Sequence, residues 1–527
     1  MDNSISSGLE PYDGPWEVPE VKHFLKRTMF GAKPNDINYF QNRSFQQSLQ
    51  EVIRINNNSV GAPINTYSEK EIDPDVAYGA TWVNAPFSNR FKFDRMWTSI
   101  HWWTNRLIHQ DRSITEKMIL FWHNHFGVAN TGSQDPRTNY RYINTLHVNA
   151  LGNFKKMIKD ITVDPLMLNF LNGFQNEARA PDENYARELM ELFTLGKGPE
   201  SKYTEEDVKA AARVLTGFQF DYNRGSADFF SSRHDIGDKT FSSFFGNKTI
   251  KAFGGNEDWP TEIFGMIDMI FEKEEVSKFL CRKFYRFFVN YDITDEIEQQ
   301  VILPLAQIFR NNNYEILPVM NALFGSKHFF DSENTGSMIK SPIDFYIGMI
   351  REMEPDLPSD MRIYSYFMED SRKLLFYLQQ HLPDPPNVAG WPAYYQNPIY
   401  GRSWINSETL KTRASYVEAF LDKNAKPRYT SVILDLIKYA GKIEGVEDPN
   451  QLINKVLERM FSLKPSQEYK NHLKKILLSN QENDYYWTNA WLDYKSKPDD
   501  ENYKNIVEIR LRQFFKSIMH IEEYNLH

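Results

Sequence analysis

Apolar residues recur along most of this chain at spacings of three and four, the period of an amphipathic helix. PEVKHFLKRTMFG (19–31) reads as a helix stopped by Gly31, and similar patterns follow at 35–41 and 44–55. A long, aromatic-dense helix is predicted over 89–110, and Ser113 with Glu116 offers a capping box for another running to Phe126. Helical patterns then occupy 138–151, 154–161 and 165–171, and later 260–272, 275–289, 294–311, 314–325, 340–352, 371–381 and 407–423. More charged helical sequence continues to the C-terminus. Three stretches break the rhythm. Residues 56–87 have little periodicity and are expected to form a long surface loop. Residues 218–258 alternate apolar and polar in FQFDY and NKTIKAF around Gly-, Ser- and Asp-bearing turns, which predicts a small β-hairpin or short sheet. Residues 381–405 are punctuated by Pro and Gly and cannot be regular structure. The pattern therefore predicts an all-α fold, a large multi-helix body with one small β insertion. Its expected parts are N-terminal helices over 1–60, a main helical domain over 61–425, and a C-terminal helical region over 426–527 continuous with the core. No internal repeat is visible, which argues against a solenoid.

The stretch from Pro181 to Gly217 is predicted as two helices joined by a tight turn. Pro181 suits a first helical position, Gly196 and Gly198 stop the first helix, and Thr204 with Asp207 caps the second. Tyr185, Leu189, Leu192 and Phe193 form one apolar stripe, and Asn184, Glu188 and Glu191 share a sector beside it. Glu188 lies closest to the stripe, so its carboxylate is expected to be half-buried and to need a cation, a metal or several donors. A structural ion pair and a catalytic or metal-binding carboxylate are both open readings.

Composition narrows the function classes. The formal charge of −9 argues against a nucleic-acid protein, whose usual footprint is basic. A single cysteine, Cys281, excludes a disulfide framework and a Cys-based zinc site, and its apolar helical setting predicts a buried, inert thiol. No apolar run is long enough to span a membrane. The start of the chain lacks a signal-peptide pattern, so the default compartment is cytoplasmic, with export following from a trimmed signal or a partner. The aromatic content, 38 Phe, 28 Tyr and 11 Trp, suits both core packing and stacking on sugars or other rings.

Three further clusters carry candidate chemistry. In WHNHF (122–126), His125 falls on the apolar face of its helix and His123 points away, because positions two apart do not share a face. Both reach one metal only if the helix ends near His123; a core-packed His125 is the other reading. In RHDIGDKTF (233–241), His234, Asp235, Asp238 and Lys239 sit in a Gly-containing loop that suits metal ligation, a base with its orienting carboxylate, or an ordinary Asx-turn. The proline loop presents Asn387, Trp391, Tyr394, Tyr395 and Trp404, a set suited to a carbohydrate platform or to a loop packed over a core. The chain has no phosphate-cradling Gly loop, HExxH or GxSxG.

Taken in order, VKHFLKRTMFGAKPNDI (21–37), FWHNHF (121–126), NALGNFKKMI (149–158), DENYARELMELFTLG (182–196), YTEEDVKAAARVLTGF (203–218), HDIGDK (234–239), PPNVAGWP (385–392), WINSETLKTR (404–413) and RLRQFFKSIMHIEEYNL (510–526) resemble the bacterial family called domain of unknown function 1800. The resemblance runs nearly end to end. It implies an essentially all-helical protein, often encoded beside members of the domain of unknown function 1501 family, which resemble secreted sulfatases and phosphatases. It places His123, His125, Asn184, Arg187, Glu188, Glu191, Thr194, Asp207, Arg213, Thr216, His234, Asp235 and Lys239 at motif positions and supplies no reaction.

The leading expectation is one shared pocket. Glu188, Glu191, His234 and Asp235 form its acid–base set, and His123, His125, Glu188 and His234 are its candidate ligands for a divalent metal. Arg187, Arg213, Lys239, Asn184 and Trp391 would bind substrate, either a cell-envelope or extracellular polysaccharide or an anionic small molecule. The rival is a non-catalytic helical scaffold that accompanies a 1501-family protein, its polar motifs being buried ion pairs.

Overall fold

The computed structural model describes residues 7–55, 61–67, 71–130, 135–253, 255, 258–422 and 432–527. The helical reading holds throughout, and among the described residues strands are confined to two small antiparallel pairs. Phe218–Asp221 pairs with Ser226–Phe229, and Lys239–Thr240 pairs with Thr249–Ile250, both inside the stretch expected to hold a hairpin. Helix starts follow local chemistry. Asp135, Asp164, Ser341 and Asp448 each accept backbone N–H bonds as caps just before a proline that opens a helix. The Thr204–Asp207 capping box forms as predicted.

Several expectations are revised. Ser113 accepts the Thr115 N–H instead of closing a box with Glu116, whose carboxylate takes Arg106 at 2.6 Å. The helix expected at 371–381 is Met361–Tyr377, capped by Asp360 and bearing buried Phe367, Met368, Leu374 and Leu375. The helix expected at 294–311 widens into a π turn at Glu298–Ile302, just ahead of Pro304, which has no N–H for a normal helical bond. The described parts of 56–87 are irregular but not superficial. Trp82 is buried and donates to Thr98, and buried Asp73 grips Arg95 at 2.9 Å.

One apolar core runs from Val21 to Tyr524. At its centre lies the helix Thr115–Phe126, every residue of which is buried, so it has no polar face. Phe121 and Trp122 pack against Phe284, and Phe126 against Phe193. Much of the aromatic content is spent here. Cys281 is fully buried, and burial pushes its thiol far above its ordinary range, as expected of an inert side chain. Among the described residues no helix is long and apolar enough to cross a membrane.

Candidate functional site

The central motif is interrupted. The helix Asn184–Glu188 passes directly into a π-helical segment, Leu189–Thr194. Such widened turns leave carbonyls to be met by side chains, and they recur at functional sites. Thr194 Oγ1 donates back to the Leu189 carbonyl at 2.5 Å, and His125 Nε2 donates to the Phe193 carbonyl at 3.1 Å. His125 Nδ1 then accepts from Lys283 Nζ at 3.1 Å, and Lys283 also donates to the Leu192 carbonyl. Burial and the Lys283 charge hold His125 neutral, with its pKa well below the usual range. Burial and Arg286 lower the lysine itself to about 7. Both nitrogens of His125 are therefore committed to fixing the π segment.

On the outer side of this segment Arg187 bridges Glu205, at 2.7 and 2.8 Å, and Glu183, at 2.9 Å. Glu191 pairs with Lys197, and Asn184 is exposed. Glu188 differs from these. It is half-buried, and its Oε2 is shielded from solvent with no hydrogen-bond partner among the described residues. Burial, then repulsion from Glu191, raise its pKa above the ordinary carboxyl value. Tyr203 borders the same patch, its hydroxyl pushed up to about 12 by burial and by Glu191 and Glu188.

His234 belongs to a different construction. Its Nδ1 meets the Thr216 carbonyl at 2.8 Å and its Nε2 meets Glu262 Oε1 at 3.1 Å. Glu262 also accepts from Lys239 Nζ and from the Phe253 N–H, each at 2.7 Å. Burial pushes the Glu262 carboxyl up, but the His234 and Lys239 bonds outweigh it and hold the group below its ordinary range. Asp235 takes Arg213 in a two-pronged bridge at 2.8 and 2.9 Å, and Asp207 ties Ser242 to the helix Glu205–Val214. Gly217, at φ +113°, brings the chain so close to Phe229 and His234 that a Cβ would collide with Phe229. This network clamps the β insertion between the helices Glu205–Val214 and Trp259–Ile270. Glu262 escaped the sequence reading. Its signal was a carboxylate in the same row as Met266, Met269 and Ile270. Lys283 was missed likewise, between Phe279 and Phe287 at helical spacing.

His123 occupies a third setting. Its ring is fully buried beside Trp103 at 5.0 Å, Trp391 at 5.8 Å and Tyr142 at 5.9 Å. The ring meets no side-chain partner among the described residues, only the Leu382 backbone, and Trp103 Nε1 and the Tyr142 hydroxyl have no hydrogen bond there. Burial drives the His123 pKa down to about 3 against the weaker opposing effects of Asp384 and the Leu382 backbone. The proline loop closes this chamber: Trp391 N–H donates to Asn124 Oδ1 at 2.8 Å, and Gly390, at φ +90°, touches Asn124 where a side chain would collide. Trp391 is thus 1% exposed and packs inward, not outward as a sugar platform.

The structure separates the expected pocket into these three settings. Among the described residues no group of three or more His, Cys, Asp and Glu is disposed to hold a metal ion, so His123, His125, Glu188 and His234 do not converge as ligands. Arg187, Arg213 and Lys239 are each ion-paired to carboxylates of the chain.

A family model described as "Protein of unknown function (DUF1800)" matches residues 23–518. Comparison with curated proteins and comparison with solved structures give no match.

Proposed function

The chain belongs to the DUF1800 family of proteins of unknown function, and from that premise we propose a carboxylate-dependent enzyme acting on cell-envelope or extracellular polysaccharide, with Glu188 as its acid. One observation carries this reading: a motif carboxyl, half-buried beside a π segment, with an unsatisfied oxygen and a raised pKa. A general acid must hold its proton near neutrality, and burial next to another carboxylate is a physical route to that state. Glu188 would protonate the departing glycosidic oxygen, Glu191, ion-paired to Lys197, would stabilise positive charge developing on the sugar ring, and a water adding at the anomeric carbon would return its proton to the Glu188 carboxylate. The substrate class follows from what surrounds the pair. Arg187 is already bound by two carboxylates, while the exposed Asn184 amide and the Tyr203 hydroxyl suit a neutral polyhydroxyl chain better than an anion.

A second reading has its own support. The closed His234–Glu262–Lys239 network behaves as a structural clamp, which favours a non-catalytic helical protein that accompanies a 1501-family partner. The deciding experiment incubates wild type and Glu188→Gln with a panel of purified envelope and extracellular polysaccharides and assays new reducing ends. The enzyme reading expects release by wild type and at least about a hundredfold loss in the variant at unchanged melting temperature. No release by wild type, together with co-purification of a 1501-family protein, would instead establish the accompanying role.

A further inference from the structure

A groove of about 360 Å³ opens between the N-terminal helices and the C-terminal helical region. Val18, with Pro34 and Ile37 from the first turn of the helix Pro34–Gln41, gives it an apolar wall. The other wall is the last turn of the helix Pro449–Met460 together with Lys442 and Glu444. It shares no residue with the Glu188 patch and stands independently of the reading given for that patch. The two walls are fastened together. Lys22 Nζ donates to the Glu458 and Phe461 carbonyls, and Lys26 Nζ donates to the Met460 carbonyl at 3.0 Å. Both lysines come from the helix Val18–Thr28, and they satisfy carbonyls that a helix end leaves without partners of its own. A groove held in this way gives up little freedom when a ligand enters it.

Five charged side chains border the groove: Lys442, Glu444, Lys455, Glu458 and Arg459. Three of them are answered within the chain. Lys455 donates to the Glu444 carboxylate at 3.2 Å and to its carbonyl at 2.8 Å, and Lys442 lies 3.7 Å from Glu354. The remaining two are one of each sign. No carboxylate among the described residues pairs with Arg459, whose guanidinium rests beside the buried Tyr439 hydroxyl. No cation among the described residues pairs with the Glu458 carboxylate, and Lys22 is turned to the Glu458 carbonyl instead. The two do not cancel each other, because adjacent helical positions point about 100° apart. Glu458 is exposed and Arg459 half-buried, so both are within reach of a ligand.

Water alone could solvate either charge; what singles out this pair is that opposite charges border one groove with an apolar wall. A ligand matching it carries a negative and a positive group close together and an apolar group beside them. The guanidinium fork suits a carboxylate, and a carboxylate suits an ammonium. A cavity of about 150 Å³ accommodates benzene, so 360 Å³ has room for one ring and the charged carbon that bears it. We propose that this groove is a binding site for an apolar α-amino acid, its carboxylate on Arg459, its ammonium on Glu458 and its side chain against Val18, Pro34 and Ile37.

The full-length protein is titrated calorimetrically with L-phenylalanine, with N-acetyl-L-phenylalanine, which lacks the positive charge, and with L-phenylalaninamide, which lacks the negative one. The titrations are run at about pH 6, where every free amine of the series is protonated. The site as proposed binds L-phenylalanine at least about tenfold more tightly than either analogue. Glu458→Gln and Arg459→Gln each raise the L-phenylalanine Kd at least about tenfold, and Glu458→Gln no longer separates it from the N-acetyl form. Equal affinity for L-phenylalanine and either analogue in wild type, unchanged affinity in either variant, or no binding up to the solubility limit would overturn the proposal. Because Glu458 is exposed, Glu458→Gln and the wild-type series decide the matter even where Arg459→Gln fails to fold.

Discussion

His234 and His123 are both motif histidines, and both are buried, yet they stand in opposite relations to their surroundings. Both nitrogens of His234 are met, and its partner Glu262 is in turn saturated by Lys239 and the Phe253 amide. His123 sits among Trp103, Tyr142 and Trp391 with no side-chain partner among the described residues and only the Leu382 backbone beside its ring. A buried polar group is stabilising in the first setting and costly in the second. The contrast shows that two buried motif histidines differ in how completely their partners are met. In the HDIGDK loop the partners of His234, Asp235 and Lys239 are complete. Glu188, by contrast, keeps a shielded carboxylate oxygen with no hydrogen bond among the described residues.

The largest effect that can test this division falls on Glu262. Replacing it with Ala leaves Lys239 and His234 buried without their shared carboxylate, and removing one partner of a buried ion pair costs about 3–5 kcal/mol. Urea unfolding of Glu262→Ala is expected to show that loss, with Glu262→Gln intermediate because it keeps the shape and part of the hydrogen bonding. A change below about 1 kcal/mol in the Ala variant would mean that the clamp is ornamental to stability, and the structural reading of His234 would fall with it.

How much of this was legible in the sequence depends on how local each determinant is. The helix start at Pro165, the Thr204–Asp207 box and the stop at Gly196 are set by residues within a turn of one another and appear where the pattern put them, while the starts at Pro136 and Pro342 lie two residues from the expected 138 and 340. The paired strands within 218–258 followed from alternation. The π segment was not legible, because its wide turn is held by His125 and Lys283, which come from two separate helices. Projection on a straight wheel placed His123 away from the apolar face. The structure buries it anyway, since Trp391 arrives from a loop 268 residues later. Convergence of Glu188 with His234 was an inference from shared motif status alone, and hydrogen-bond partners assign the two residues to separate networks.

A proton titration sharpens the comparison at the His123 end. Its folded pKa of about 3 lies below the unfolded value near 6.5. The unfolded chain therefore binds the extra proton between those limits, and stability that is whole above pH 6.5 declines as pH falls toward 3. One such histidine contributes a slope of about 1.4 kcal/mol per pH unit. His23, also lowered to about 3 by burial, adds its own share, so acid sensitivity persists without His123. His123→Phe is expected to keep the aromatic packing and to flatten the dependence of unfolding free energy on pH between 6 and 4.5 by that single-proton slope. Parallel curves for wild type and variant would show that a solvent molecule or neighbour already satisfies the ring.

Arg187 gives the smallest effect and tests the opposite extreme of the same axis. It makes as many carboxylate contacts as the buried clamp, bridging Glu183 and Glu205, but its side chain is 35% exposed and that of Glu205 is 66% exposed. Water and salt compete for an ion pair in that position, and long side chains lose rotamer freedom in forming it, so its contribution is at most about 1 kcal/mol. Arg187→Ala is accordingly expected to lower the melting temperature only slightly, and the difference from wild type should shrink further in 0.5 M NaCl (about 4 Å screening length). The deficit of Glu262→Ala should be unchanged by the same salt, because its charges are sealed from counterions. A salt-insensitive loss at Arg187 comparable to that at Glu262 would show that exposure is a poor guide to what these charges do, and the boundary drawn between clamp and working surface would have to move.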